Sequence, residues 1–255
     1  LRDLDRYDEA ILSYKKAISF DSNFVEVYFN LGAIFQKLNQ LDNAVDFYKQ
    51  AIKIKLDYPE AHNNLGVAYK DLKEFDLAIK SYQMAIKIKP DYAEAHNNIG
   101  IVFRELGKLD AAVKSHEIAL KLIPNYAEAH NNLGIILLEN KELEQAIEKF
   151  KKALAIDNNF IEAYNNLGSA FMELHQFDSA SENFHKALSI NPSHAEAHNN
   201  LGSLLMRLGQ LNEAVECFQK SIQINPKSEY AHNNLGLAYS NLANLEGSKK
   251  CFEEA

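Results

Sequence analysis

The stretch EAHNNIG, residues 94–100, decides the fold through its recurrence. His-Asn-Asn returns at 62–64, 130–132, 198–200 and 232–234, with Tyr-Asn-Asn at 164–166 and Tyr-Phe-Asn at 28–30. The glycines that close these stretches are Gly32, Gly66, Gly100, Gly134, Gly168, Gly202 and Gly236, and every interval is 34 residues. Taken alone, an imidazole beside two primary amides reads as a ligand set or a substrate clamp. Seven copies at one spacing read as a scaffold built by repetition.

With Pro59 as position 1 of a repeat, other columns fall into phase. Position 20 is Ala44, Ala78, Ala112, Ala146, Ala180 and Ala214, with Ser248 breaking the run. Position 24 is Tyr48, Tyr82, His116, Phe150, Phe184, Phe218 and Phe252, and position 27 is Ala or Ser throughout. Position 32 is Pro90, Pro124, Pro192 and Pro226, with Leu56 and Asn158 as exceptions. Each repeat reads as helix A over positions 2–14, a tight turn, and helix B over positions 18–31. Asp42, Asp76, Asp110 and Asp178 at position 18 are expected to cap helix B, and proline at position 32 ends it. A glycine inside helix A costs about 1 kcal/mol against alanine. Its place at position 8 is expected to admit close approach to the alanine at position 20.

These columns and the 34-residue period resemble the tetratricopeptide repeat (TPR) family along the whole chain. The family's usual Trp at position 4 is here His or Tyr. The resemblance implies an all-α fold, a right-handed superhelical α-solenoid of about 7.5 helix-turn-helix repeats. The expected division is a single solenoid: a partial repeat at 1–24, full repeats at 25–58, 59–92, 93–126, 127–160, 161–194 and 195–228, and a partial repeat at 229–255. Both ends fall inside a repeat without a polar capping helix. The sequence is therefore expected to be a piece of a longer protein, or to stack its ends on a partner.

The net charge of -8 and the presence of only four arginines (Arg2, Arg6, Arg104 and Arg207) argue against nucleic-acid binding, which favours Arg-rich basic stripes. No run of 18 apolar residues is present, so membrane insertion is not expected. Cys217 and Cys251 share position 23 one repeat apart, too far for a disulfide, and read as thiols.

On a helical wheel at about 100° per residue, positions 3, 4, 7, 8, 10, 11 and 14 form the apolar stripe of helix A, and positions 2, 5, 6, 9, 12 and 13 the other face. His62, His96, His130, His198 and His232 occupy position 4, at the centre of the stripe. With no acidic or thiol partner there, the sequence offers no metal site. These histidines read as interior residues with one ring nitrogen hydrogen-bonded. Position 6 is Asn30, Asn64, Asn98, Asn132, Asn166, Asn200 and Asn234. It lies about 200° from position 4, so His and Asn cannot form one site. Asparagine is a poor helix-interior residue, and two roles would explain seven of them. They bridge neighbouring A helices, or they offer a peptide backbone the donor and acceptor it needs.

The family resemblance implies that A helices line a concave groove and that amides at position 6 contact bound peptide. The ladder is similar to that in the TPR arm of O-GlcNAc transferase. That family often has Ala at position 8, where Gly is uniform here. TPR domains that clamp acidic chaperone tails carry Lys or Arg at positions 2, 5 or 6. Here those positions hold none, and that clamp is not expected. Position 5 adds Asn97, Asn131 and Asn165 to the candidate peptide-binding set. An apolar stretch at Ile101, Ile135, Leu138 and Met172 reads either as a partner site or as packing between repeats. Glu at position 2, such as Glu94 and Glu196, reads as compensation of the helix dipole or as an acidic rim.

The sequence has no phosphate loop, nucleophile elbow, HExxH or CxxC, so neither a catalytic site nor a cofactor is expected. The function read from the residues is a scaffold for a protein or peptide ligand. The alternatives are the substrate-recognition arm of a larger enzyme, such as a TPR-containing glycosyltransferase, and end-to-end self-association.

Overall fold

The computed structural model describes residues 2–243, 247–248 and 251. Phe252, expected to continue the aromatic column, lies outside the described residues. Every described regular element is a helix. The chain forms two compact units, residues 1–124 and 125–255.

The first unit holds α1 (Arg2–Phe20), α2 (Val25–Lys37), α3 (Leu41–Ile54), α4 (Pro59–Asp71), α5 (Phe75–Ile88), α6 (Ala93–Glu105) and α7 (Leu109–Leu122). The second holds α8 (Ala127–Glu139), α9 (Leu143–Ile156), α10 (Ile161–Glu173), α11 (Phe177–Ile190), α12 (Ala195–Arg207), α13 (Leu211–Ile224) and α14 (Glu229–Asn241). Even-numbered helices are the A helices and odd-numbered ones the B helices. They span positions 1–13 and 17–30, one residue earlier than the sequence reading. Within each unit the A helices α2, α4, α6, α10 and α12 pack on the B helices that follow and precede them, and neighbouring A helices touch. At the start, α1 runs unbroken through the turn that the repeat phase places near residues 5 and 6.

The turn between A and B has one geometry throughout. In the first full repeat Asn39 N–H donates to Gln36 O at 3.0 Å and Gln40 N–H to Phe35 O at 2.8 Å. The pair recurs with Lys73 and Glu74, Gly107 and Lys108, Lys141 and Glu142, His175 and Gln176, and Gly209 and Gln210. This is a Schellman closure, which needs a left-handed residue at position 15. Only Gly107 and Gly209 meet that need without a side chain; Asn39, Lys73, Lys141, His175 and Ala243 adopt φ of 56° to 63°. The expected aspartate caps do not form. The residue at position 16 caps helix B without a side-chain bond, as Gln40 and Glu74 do. Asp42 and Asp76 sit two residues further in, in the first turn, where a carboxylate compensates the helix dipole.

The core of each repeat is a ring on a glycine. Tyr48, Tyr82, His116, Phe150, Phe184 and Phe218 are all fully buried. A Cβ built on Gly134 would stand 2.6 Å from Phe150 Cε1, and one on Gly32 2.6 Å from Tyr48 Cε1. The glycine at position 8 therefore makes room first for the aromatic at position 24, whose ring atoms are the nearest a Cβ would meet. The alanines at positions 20 and 27 are themselves fully buried, and their small size lets the B helices come close enough to deliver the ring.

Gly134→Ala should therefore cost on the order of 2–3 kcal/mol in urea unfolding, as overpacking of a filled core does. Combining it with Phe150→Leu should recover part of that loss in a double-mutant cycle. At position 15, Lys73→Gly should raise stability by up to about 1 kcal/mol by relieving the left-handed conformation, net of the added chain entropy.

Candidate functional site

Position 4 anchors the link between repeats. The Nε2–H of His198 donates to the carbonyl of Pro192 at 3.0 Å, and that of His232 to Pro226 at 3.0 Å. His96 meets Pro90 at 3.1 Å and His62 meets Leu56 at 3.3 Å in the same way. The carbonyl belongs to position 32, just past the end of the preceding B helix. It can only accept, so the neutral ring carries its proton on Nε2. Among the described residues no group of three His, Cys, Asp or Glu is placed to hold a metal ion. Cys217 and Cys251 are buried thiols.

The two asparagines of each repeat hold different places. Position 6 is half-buried in every copy, at Asn30, Asn64, Asn98, Asn132, Asn166, Asn200 and Asn234. Position 5 is buried at Asn63, Asn97, Asn131 and Asn165, with 0% to 5% exposure. The wheel placed position 5 on the open face beside position 6. A single buried stripe describes a helix touched from one side, whereas these A helices are also touched by the next A helix. Position 5 turns into that second contact.

A hydrogen-bonded chain runs through these amides. Asn98 Nδ2 donates to Asn63 Oδ1 at 3.1 Å, and Asn63 Nδ2 donates to Glu94 Oε1 at 3.0 Å. In the second unit Asn166 donates to Asn131 at 3.0 Å, Asn200 to Asn165 at 3.0 Å and Asn234 to Asn199 at 2.9 Å, while Asn165 donates to Glu196 at 3.0 Å. In Asn98, Asn166, Asn200 and Asn234 the position 6 amide reaches back 35 residues to the position 5 carbonyl of the preceding repeat, whereas Asn30 donates to Tyr14 Oη at 3.4 Å. The carboxylate sets the direction. Glu94 can only accept, so Asn63 turns its NH₂ to it and its carbonyl to Asn98, which must answer with NH₂. The Oδ1 atoms of Asn64 and Asn200 accept weakly from the adjacent Asn63 and Asn199, at 3.4 Å and 3.5 Å. Sequence reasoning missed this use of Glu at position 2, although Glu94 and Glu196, 31 residues after Asn63 and Asn165, are a visible signal.

The apolar candidates are half-buried: Ile101 in α6, Ile135 and Leu138 in α8, and Met172 in α10. Met172 packs against the cluster that holds Leu201 and Leu204.

His116 departs from its column. Its Nδ1–H donates to Asn97 Oδ1 at 3.0 Å, and its buried Nε2 has no partner. Burial, and then the charge of Arg104, push its pKa down to about 4. Protonation would add a second N–H with nothing to receive it.

Models of the tetratricopeptide repeat match residues 59–92, 161–194 and 195–228, residues 91–159 and residues 217–250, and a TPR repeat model matches 1–39 and 34–73. The chain belongs to the tetratricopeptide repeat family. No curated protein is similar enough in sequence to be matched with this TPR chain. Among solved structures it is similar to a chain of the APC/C hetero-tetramer Cut9-Hcn1, with TM-score 0.83 and 17% identity over 91% of this chain and 46% of that one. It thus spans about half of that chain's length, and the likeness is one of fold. It is similar to MamA with TM-score 0.52 and 30% identity over 61% of this chain and 91% of that one. YrrB, described as a TPR protein with an unusual peptide-binding site, has TM-score 0.53 and 22% identity over 72% of this chain and 95% of its own. TPR repeats make the chain a protein-interaction scaffold, and repeats of this family are generally non-catalytic. No helix among the described residues is long and apolar enough to cross a membrane.

The His116 geometry has a signed consequence. Its folded pKa lies below the ordinary 6.5 of the unfolded chain, so below pH 6.5 the unfolded state takes up the proton first. Stability should fall as the pH drops from 6.5 and level off near pH 4, with a loss on the order of 2–3 kcal/mol. In thermal melts across that range His116→Phe should flatten most of the dependence. His62, also depressed chiefly by burial, should leave a smaller slope of the same sign.

Proposed function

We propose that this TPR chain holds an extended peptide by its backbone, using the asparagines of position 6: Asn30, Asn64 and Asn98 in the first unit, and Asn132, Asn166, Asn200 and Asn234 in the second. The observation that carries the reading is the half-spent amide. In Asn98 and Asn166 one N–H is tied to the preceding repeat. The carbonyl and the other N–H remain, which is the complement of a peptide group. The bridging and recognition roles are thus parts of one device, because the bond to position 5 fixes the rotamer of the amide that meets the ligand. In this reading Asn97, Asn131 and Asn165 serve from within by aiming the rungs. Ile101, Ile135, Leu138 and Met172 offer apolar surface to the peptide's side chains. Glu at position 2 turns away acidic ligands.

The test is to select binders from a display library of random 12-residue peptides on this chain, and to replace backbone amides of a selected peptide by esters one at a time. An ester lacks the N–H that a rung carbonyl would accept. Esters facing a rung should weaken binding about 5- to 10-fold, the equivalent of one hydrogen bond, and Asn166→Ala should remove the penalty at one ester site. Ester peptides that bind as well as their amide parents would overturn the backbone reading.

A further inference from the structure

The junction of α12 with α14 lacks the glutamate that ends the Asn–Glu chain elsewhere. Asn63 donates to Glu94 and Asn165 to Glu196, a position 2 glutamate of the next repeat, each at 3.0 Å. At the junction of α12 with α14, position 2 is Tyr230, whose side chain is 80% exposed. Asn199 Oδ1 still accepts from Asn234 at 2.9 Å, so its NH₂ points where the carboxylate would be. That NH₂ has only Asn200 Oδ1, at a marginal 3.5 Å. In place of the missing carboxylate lies a cavity of about 480 Å³, lined among others by Glu196, Asn199, Asn200, Asn234, Ser221 and Tyr230.

We infer that this cavity receives the side-chain amide of a glutamine or asparagine residue in the bound peptide. The inference rests on the peptide-binding reading above and names the residue class selected at one place. The cavity asks for two complementary atoms. Asn199 needs an acceptor. Glu196 accepts from Asn165 through Oε1 and can accept again through its other oxygen. It stands three residues before Asn199 on the same face of α12. A primary amide supplies both, with its carbonyl on Asn199 and its NH₂ on Glu196. A free carboxylate would satisfy Asn199 but meet the charge of Glu196 and a chain of net charge -8. A lysine would satisfy Glu196 and leave Asn199 without an acceptor.

The experiment uses the 255-residue chain and acetylated pentapeptides Ala-Ala-X-Ala-Ala, closed as N-methylamides so that X carries the only primary amide. X is Gln, Glu or Ala, and the side-chain NH₂ signals of the asparagines are followed by NMR. The Gln peptide should move the Asn199 signals at concentrations about 5- to 10-fold lower than the other two. Tyr230→Glu rebuilds the internal carboxylate on an exposed site; it should abolish the Gln preference while shifts at Asn166 persist. Asn199→Asp should exchange the preference for Gln for one for Lys. Equal response of Asn199 to all three peptides, with Asn98 and Asn166 still shifting, would overturn the inference and leave the backbone reading standing. A tighter Glu peptide, or a Gln preference that survives Tyr230→Glu, would also overturn it. No shift at any asparagine would overturn both.

Discussion

Each repeat depends on one contact, the face of a position 24 ring laid on the backbone of a position 8 glycine. It puts six large rings at zero exposure, and burying a side chain of that size contributes on the order of 2–3 kcal/mol. The glycine's own helix cost, about 1 kcal/mol, is smaller, so the ring decides. The small residues at positions 20 and 27 and the left-handed turn at position 15 serve that contact, by letting the B helix return closely enough to bring the ring in. Where the column holds His116, the same space is filled but a polar nitrogen is buried with it, and the contact becomes sensitive to pH.

The asparagines form a second system laid over the first. A row of polar residues inside packed helices would be costly if left unpaired, and here the pairing is reciprocal across repeats. Glutamate orients one amide, which orients the next, so that the outermost amide is presented in a fixed direction. Such preorganisation suits recognition of a peptide backbone, since little rotamer entropy remains to be lost on binding. The device works by neighbours, so a change in one repeat is felt at one junction. With Tyr230 in place of glutamate, the amide of Asn199 keeps only a 3.5 Å bond to Asn200.

Much of this was legible in the sequence. The 34-residue period, the division into A and B helices and the interior place of His62 and His198 follow from spacing and hydrophobic phase. The opposite orientation of His and the second Asn follows from the helical angle alone. The aspartate caps were misread because a residue type favoured at helix starts does not say which backbone atom it reaches. The ring that meets the glycine went unread for a related reason: a wheel orders residues around an axis but does not say which residue of another helix arrives opposite them.

Periodicity by itself determined that the chain is built of repeated helix pairs, which residues are interior, and that the asparagines form columns. Only tertiary structure decided what the columns do. Position 5 is buried because a second A helix packs on a side the wheel left open, and its amide is held by a glutamate 31 residues away. Sequence spacing states which residues share a helix face, since that is local geometry. Which atoms meet across two faces depends on the distance and angle at which helices pack, and those are set by the side chains between them.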